Sequence, residues 1–301
     1  MEHVALILVC LAVGVGLRLS GQLPETAPKV FGGWVIHVAL PAAALHSVHD
    51  ISVNLEWLLA AATPWIGALL AIAVFVPLSR VLGWSRQRTG ALILVAGWGN
   101  TSFVGLPMID AYFGSNRLGL GLFIDLAGSY LALSTIGITV ATVCAGDRFD
   151  GRAVLRRIAT FPPFIAIIIA LATNDVNRPD WLDQIFEAFA LTLTPVALAA
   201  VGFAIRFERI GDRIAPLGAG LAYRLALAPL VILAIYAALG QLANTNAQVA
   251  IFEMAMPPSL GASIIAMNHE LEPELVALLI GIGIPLSMAT VPVWWLVMGA
   301  G

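Results

Sequence analysis

The sequence predicts an all-α polytopic membrane protein, with ten transmembrane helices in two inverted five-helix repeats and with helices four and nine broken. Three observations lead there. The 301 residues are 60% hydrophobic and 11% charged, against roughly 25% charged residues in a soluble domain. Apolar runs long enough to cross ~30 Å of hydrocarbon recur along the chain. Two of these runs are interrupted, at Gly97-Trp98-Gly99-Asn100-Thr101-Ser102 and at Met256-Pro257-Pro258-Ser259-Leu260-Gly261.

The spans fall at roughly 3–20, 30–47, 56–79, 89–114, 118–145, 158–174, 182–205, 214–240, 247–269 and 273–299. The start, Met1-Glu2-His3, lacks the positive region of a cleaved signal, so the first run reads as a retained span. The connector 147–157 separates a first repeat, 1–146, from a second, 158–301. An odd number of spans per half makes the second half enter from the opposite face, which is an inverted repeat. Pro41 in the second span answers Pro195 in the seventh, and Asn100 in the fourth answers Pro257 in the ninth.

Basic residues set the orientation. Loops after odd-numbered spans carry Arg18, Lys29, Arg80, Arg86, Arg88, Arg148, Arg152, Arg156, Arg157, Arg206, Arg209 and Arg213, and the other side carries Arg117 and Arg178. Odd loops are therefore expected in the cytoplasm and both termini outside. The loop 268–274 runs against this bias, with Glu270, Glu272 and Glu274. Cys10 and Cys144 lie in apolar runs and indicate neither a disulfide frame nor a metal cluster. Nothing points to a nucleic-acid partner or a bound cofactor.

A helix breaks inside a bilayer only where protein or an aqueous cavity takes over the freed backbone groups. Both breaks lie ~15–17 Å into their spans at 1.5 Å per residue, near the midplane. The half-helices starting near Thr101 and Ser259 present positive N-terminal ends, which together suit an anion. Carbonyls at the facing C-terminal ends could coordinate a cation. The alternative is a pair of packing kinks.

Ionisable residues inside a membrane are costly and mark function or a partner. Asp125 and Glu253 both lie ~10 Å deep from the outer face, which permits a carboxylate pair or a carboxylate site for Na⁺ or H⁺. Arg224, near mid-depth, could grip an anionic substrate through its two-pronged fork or serve as the fixed partner of Glu253 or Asp125. Asp110 and Asn268 read as solvated, as does the external loop His46-Ser47-Val48-His49-Asp50. Trp34, Trp294 and Trp295 read as interfacial anchors. Ser129, Ser287 and Thr290 read as helix-contact residues.

The run Gly99-Asn100-Thr101-Ser102-Phe103-Val104-Gly105-Leu106-Pro107, with Ala111-Tyr112-Phe113-Gly114 behind it, resembles the fourth-span signature of the auxin efflux carrier family. That family includes the plant PIN proteins and bacterial malonate or malate permeases. Met256-Pro257-Pro258-Ser259, Ala262, Ala266 and the stretch from Pro285 to Pro292 are also similar to it. The resemblance implies a scaffold and a transport domain, an elevator movement, carboxylate substrates and pairing into homodimers through the scaffold. It implies that spans four and nine cross at Pro107 and at Pro257 or Pro258, and that Asn100 contacts substrate. The long cytoplasmic loop of plant members is absent, which argues against auxin. Glu253 through Ser259 also resembles the ninth-span sodium site of bile acid sodium symporters, with prolines where amides stand there.

The expectation is a secondary active transporter of a small organic anion in a bacterial inner membrane. Substrate would lie near Asn100, Thr101, Ser102, Pro107, Pro257, Pro258 and Ser259. Glu253 and Asp125 would serve Na⁺ (near Glu253) or H⁺, and Arg224 would set the local charge. The rival readings are a channel or a ligand sensor without transport. No Ser/His, Asp/Asp or His-Glu constellation at helical spacing suggests an enzyme.

Overall fold

The computed structural model describes residues 2–48, 54–146, 150–173, 178–205 and 211–299. His49, Asp50, Arg148, Arg206 and Arg209 of the loops discussed above lie outside the described residues. The described residues form helices joined by turns and short extended stretches. The helices are α1 (Glu2–Leu19), α2 (Ala27–Ser47), α3 (Leu55–Leu82), α4 (Arg86–Gly97), α5 (101–113), α6 (Ser115–Ala145) and α7 (Gly151–Ala159). They continue as α8 (Pro162–Ala172), α9 (Asp180–Ala204), α10 (Ile214–Ala238), α11 (Thr245–Met254), α12 (Leu260–Asn268) and α13 (Pro273–Val297). Six of them, α2, α3, α6, α9, α10 and α13, are long and apolar enough to cross a bilayer. The chain is a polytopic membrane protein. The expected segments 89–114 and 247–269 are each two helices separated by an extended break.

Prolines shape the long helices locally. Proline lacks an N–H, and its ring collides with the carbonyl four residues back. Pro41, Pro107 and Pro229 each follow a π-helical turn, Val35–Ala39, Thr101–Gly105 and Tyr223–Leu227. The widened turn relieves the collision but leaves a carbonyl that must find another donor in a bilayer. For Pro229 that carbonyl belongs to Leu225, and Trp294 Nε1 donates to it at 2.8 Å. For Pro64 it belongs to Ala60, which accepts from Thr63 Oγ1 at 2.8 Å. Trp294 thus also acts as a donor to a carbonyl freed by a proline.

The helices sort into two groups by packing. In one, α1 lies along the second half of α9, with α2 and α8 beside them. Glycines let the α1 and α9 backbones touch: a Cβ on Gly14 would meet Phe203 N at 2.8 Å, and one on Gly202 would meet Leu11 Cα at 3.1 Å. Trp34 Nε1 donates to Thr192 Oγ1 at 2.9 Å, and Arg178 Nη1 donates to the Leu45 carbonyl at 2.6 Å, tying α2 to the α9 region. His46 belongs to this joint, with Nδ1 3.2 Å from Asp183 Oδ1, and not to a solvated loop.

The second group holds α3 to α6 and α10 to α13. Its centre is α4 and α11, whose residues from Thr89 to Gly97 and from Ala247 to Met254 are all buried. A helix covered on every side needs no polar face. The acidic loop after α12 is neutralised by its neighbours. Arg88 donates to both Glu272 oxygens, at 2.6–3.0 Å, and Arg213 pairs with Glu272 and Glu274. The charge that opposed the basic loop bias sits among that bias's own arginines.

Replacing Trp294 with Phe should cost about 1–3 kcal/mol, because it leaves the Leu225 carbonyl buried without a donor. In a Pro229→Ala background residue 229 regains an N–H, and the same replacement should cost less. Unfolding in detergent of the four proteins of this cycle measures both effects.

Candidate functional site

Helix α4 ends at Gly97, and the chain then runs extended through Trp98 (φ −108°, ψ 137°). Helix α11 ends at Met254, and the chain is extended again at Ser259 (φ −75°, ψ 126°). The two breaks lie against each other. Gly99 and Pro258 form an antiparallel bridge, with Asn100 N donating to the Pro257 carbonyl at 2.8 Å and Ser259 N to the Trp98 carbonyl at 3.0 Å. Each break therefore supplies partners for the other's freed backbone, as the absence of water requires. Side chains cap the helices that follow: Asn100 Oδ1 accepts from Phe103 N at 3.3 Å, and Ser259 Oγ accepts from Ala262 N at 3.2 Å.

The helix ends carry opposite partial charges, and the chain answers both with its own side chains. Arg224, 1% exposed on α10, donates to the Gly97 carbonyl at 3.3 Å and to the Met254 carbonyl. A guanidinium thus sits at the negative C-terminal ends of α4 and α11 together. On the other side of the break, Thr101 Oγ1 and Ser102 Oγ donate to the Asp125 carboxylate, Ser102 at 2.8 and 2.7 Å to its two oxygens. The Asp125 carboxyl thus sits at the positive end of α5. The carbonyl ends that the sequence leaves open for a cation are held by Arg224, and the N-terminal end of α5 faces the Asp125 carboxyl.

Glu253 is different. It is 2% exposed, and neither carboxylate oxygen has a hydrogen-bond partner. A Cβ on Gly105 would lie 2.8 Å from its Cδ, so Gly105 is the close approach that admits this carboxylate. The charged groups acting on it are Asp125 and Arg224.

Two cavities meet at the break. The smaller, about 10 Å³, is lined by Thr63, Arg224, Glu253 and Met254 among others, and approaches the size of one water. The larger, about 170 Å³, is lined by Ile36 and Leu40 of α2, Trp98 to Phe103, Asp125 and Ser129 to Ser134 of α6, Phe161, and Ser259, Gly261 and Ile264. Trp98, Gly99, Thr101 and Ser129 separate the two and line both. Two of the lining residues carry buried donors without partners, Asn100 Nδ2 and Trp98 Nε1. The rings of Tyr130 and Phe161 stack at 3.8 Å and 9° at the cavity's edge, joining the two helix groups.

Of the residues singled out in the sequence, Asn100, Thr101, Ser102, Asp125 and Ser259 line the larger cavity, whereas Glu253 and Arg224 line the smaller. Pro257 and Pro258 lie in the paired breaks. Pro107 lies inside α5 beyond its π turn. The segments meet at Gly99 and Pro258, not at Pro107, because the extended residues precede α5 and proline there only shapes the helix. Arg224 holds main-chain carbonyls. Trp98, Tyr130 and Phe161 were not anticipated, and Ser129 faces the cavities as well as its neighbouring helix. Trp98 could have been flagged by its place inside the polar interruption. The stacking of Tyr130 on Phe161 had no sequence signal.

Arg224→Met should destabilise the protein by about 3–5 kcal/mol, because it strips two helix ends and a buried carboxylate of their counter-charge. Adding Glu253→Gln should recover part of that loss. Gly105→Ala should also destabilise, since its new methyl displaces Glu253. Thermal unfolding in detergent reads all three.

Residues 1–146 and 148–295 match the family described as membrane transport protein. The chain is 25% identical over 300 residues to an uncharacterized transporter of Methanothermobacter thermautotrophicus, covering 99% of this chain and 98% of that one. It is 24% identical over 319 residues to an uncharacterized transporter of Methanocaldococcus jannaschii, covering 99% of each. The family match extends over both halves of the chain and over the paired breaks alike, and the protein belongs to the membrane transport protein family, that of the auxin efflux carriers.

Proposed function

We propose that the protein is a secondary active transporter of a small organic anion, a mono- or dicarboxylate, working by an elevator-type alternating-access movement. One observation carries this reading: two broken helices satisfy each other at Gly99 and Pro258, and beside them lies a 170 Å³ cavity lined by Asn100 and Trp98, whose side-chain donors are buried without partners. A buried donor without a partner costs free energy, which an acceptor on a guest recovers. Asn100 Nδ2 and Trp98 Nε1 are such donors. Substrate lies against Asn100, Thr101, Ser102 and Ser259.

In this reading α4 with α5, and α11 with α12, are the fourth and ninth of ten spans, and 1–146 and 158–301 are inverted repeats joined by 147–157. The family match, which also divides between 146 and 148, supports that division. The group α1, α2, α8 and α9 is the scaffold, and the other group slides against it. The cavity draws its walls from both groups, so a slide would carry its contents across the membrane. Asp125 and Glu253 serve a coupling ion. Both termini face outside a plasma membrane, and the scaffold pairs two copies.

Asn100→Ala should reduce saturable carboxylate uptake into proteoliposomes at least tenfold, while leaving the unliganded melting temperature within a few degrees of the parent. It should also abolish the stabilisation that a carboxylate gives the parent in a thermal-shift screen. Unchanged affinity and uptake in that variant would remove the cavity as the substrate site.

A further inference from the structure

The larger cavity presents an electrostatic contradiction to an anionic guest. Asp125 is the carboxyl on its wall, and without a proton it is negative. Arg224 lines the other cavity and is committed to the Gly97 and Met254 carbonyls. A substrate carboxylate ~4 Å from an ionised Asp125, at an effective dielectric of ~20, would bind about a thousandfold more weakly than beside a neutral group.

A single proton resolves this. We propose that each organic anion crosses together with one proton, shared between the Asp125 carboxyl and the substrate's own carboxylate, so that the protein is a proton–carboxylate symporter. This rests on the organic-anion reading above and assigns its coupling ion. Two carboxyl groups that share a site hold one proton between them, since both cannot ionise at close range. Thr101 and Ser102 direct their hydroxyls at the Asp125 oxygens and hold the side chain in place. Asn100 Nδ2 and Trp98 Nε1 remain to donate to the substrate's other oxygens.

The geometry selects Asp125 over Glu253. Glu253 lies in the water-sized void behind Trp98, Gly99 and Thr101, has Arg224 as its counter-charge, and is walled off from the larger cavity. It also favours a proton over a metal ion. The oxygens of Asp125 already accept from hydroxyl donors, and a guanidinium holds the facing helix carbonyls. Charge balances through the cycle. The empty site carries one negative charge, on Asp125, and a bound monocarboxylate with its proton leaves that total unchanged. Release returns the anion and the proton to the same side. A monocarboxylate would therefore move without net charge, and a dicarboxylate would carry one negative charge across.

Few other ionisable groups face Asp125. Helix α8 and residues 101–105 contain none. Helix α3 has Glu56 and Arg80 near its two ends and presents Thr63 and Pro64 at the break. Tyr130 stands on the same cavity wall, and Glu253 and Arg224 act from behind the break.

The test uses the full chain in proteoliposomes loaded with a pH-sensitive dye, offered pyruvate, malonate, succinate or benzoate. Uptake should acidify the lumen by about one proton per carboxylate. A thermal shift should show affinity weakening about tenfold per pH unit as Asp125 loses its proton. Asp125→Asn keeps an oxygen to accept from Thr101 and Ser102 and adds a permanent donor. It should still be stabilised by the carboxylate, with no pH dependence, and should move no protons. Uptake by the parent without proton movement, uptake that requires Na⁺ at constant pH, or proton movement that persists in Asp125→Asn would each overturn the proposal while leaving the organic-anion reading standing. If the parent neither binds nor carries any of the four acids, the organic-anion reading fails and this proposal fails with it. The parent measurement decides by itself if Asp125→Asn does not fold.

Discussion

Every distinctive feature of this protein follows from one constraint: main-chain N–H and C=O groups cannot be left bare where there is no water. A continuous helix meets that demand internally. Here two helices stop in the middle of the fold, and several of the groups they release find partners nearby. Asn100 N and Ser259 N find carbonyls on the opposite break. Gly97 and Met254 carbonyls find Arg224. The same rule operates at lower stakes along the long helices, where prolines release carbonyls that Trp294 and Thr63 recover.

The charges at the centre are a consequence of the same breaks. Interrupting a helix exposes the ends of its dipole, and two interruptions side by side concentrate four such ends in a small volume. Arg224 and Asp125 sit at ends of opposite sign, one on each side of the crossing. Glu253 is the surplus, buried beside Gly105 without a hydrogen bond. A buried polar group in that condition is the sort of strain that functional sites retain.

The breaks were readable from the sequence because glycine, asparagine and adjacent prolines cannot hide within an apolar run. Their juxtaposition was readable as well, since matching depth from opposite faces leaves them one place to meet. What could not be read was who pairs with whom. Arg224 offered a substrate anion, Glu253 or Asp125 as its partner, and only its position on α10 beside both helix ends selects the carbonyls. Pro107 looked like the crossing point because it stands in the resembling motif, but a π turn separates it from the extended residues. Trp294 and His46 look like interfacial or loop residues in one dimension. Their hydrogen bonds, to Leu225 and to the vicinity of Asp183, join helices distant in sequence and leave no local pattern.

The glycine contact between α1 and α9 has a mechanical corollary. Where Gly14 and Gly202 bring one main chain against another, no side chain remains to swing, exchange rotamers or act as a bearing. Such a joint is stiff, and the helices it fastens must travel or stay as one piece. At the seam beside α6 the two groups meet instead through side chains, as where the flat rings of Tyr130 and Phe161 stack.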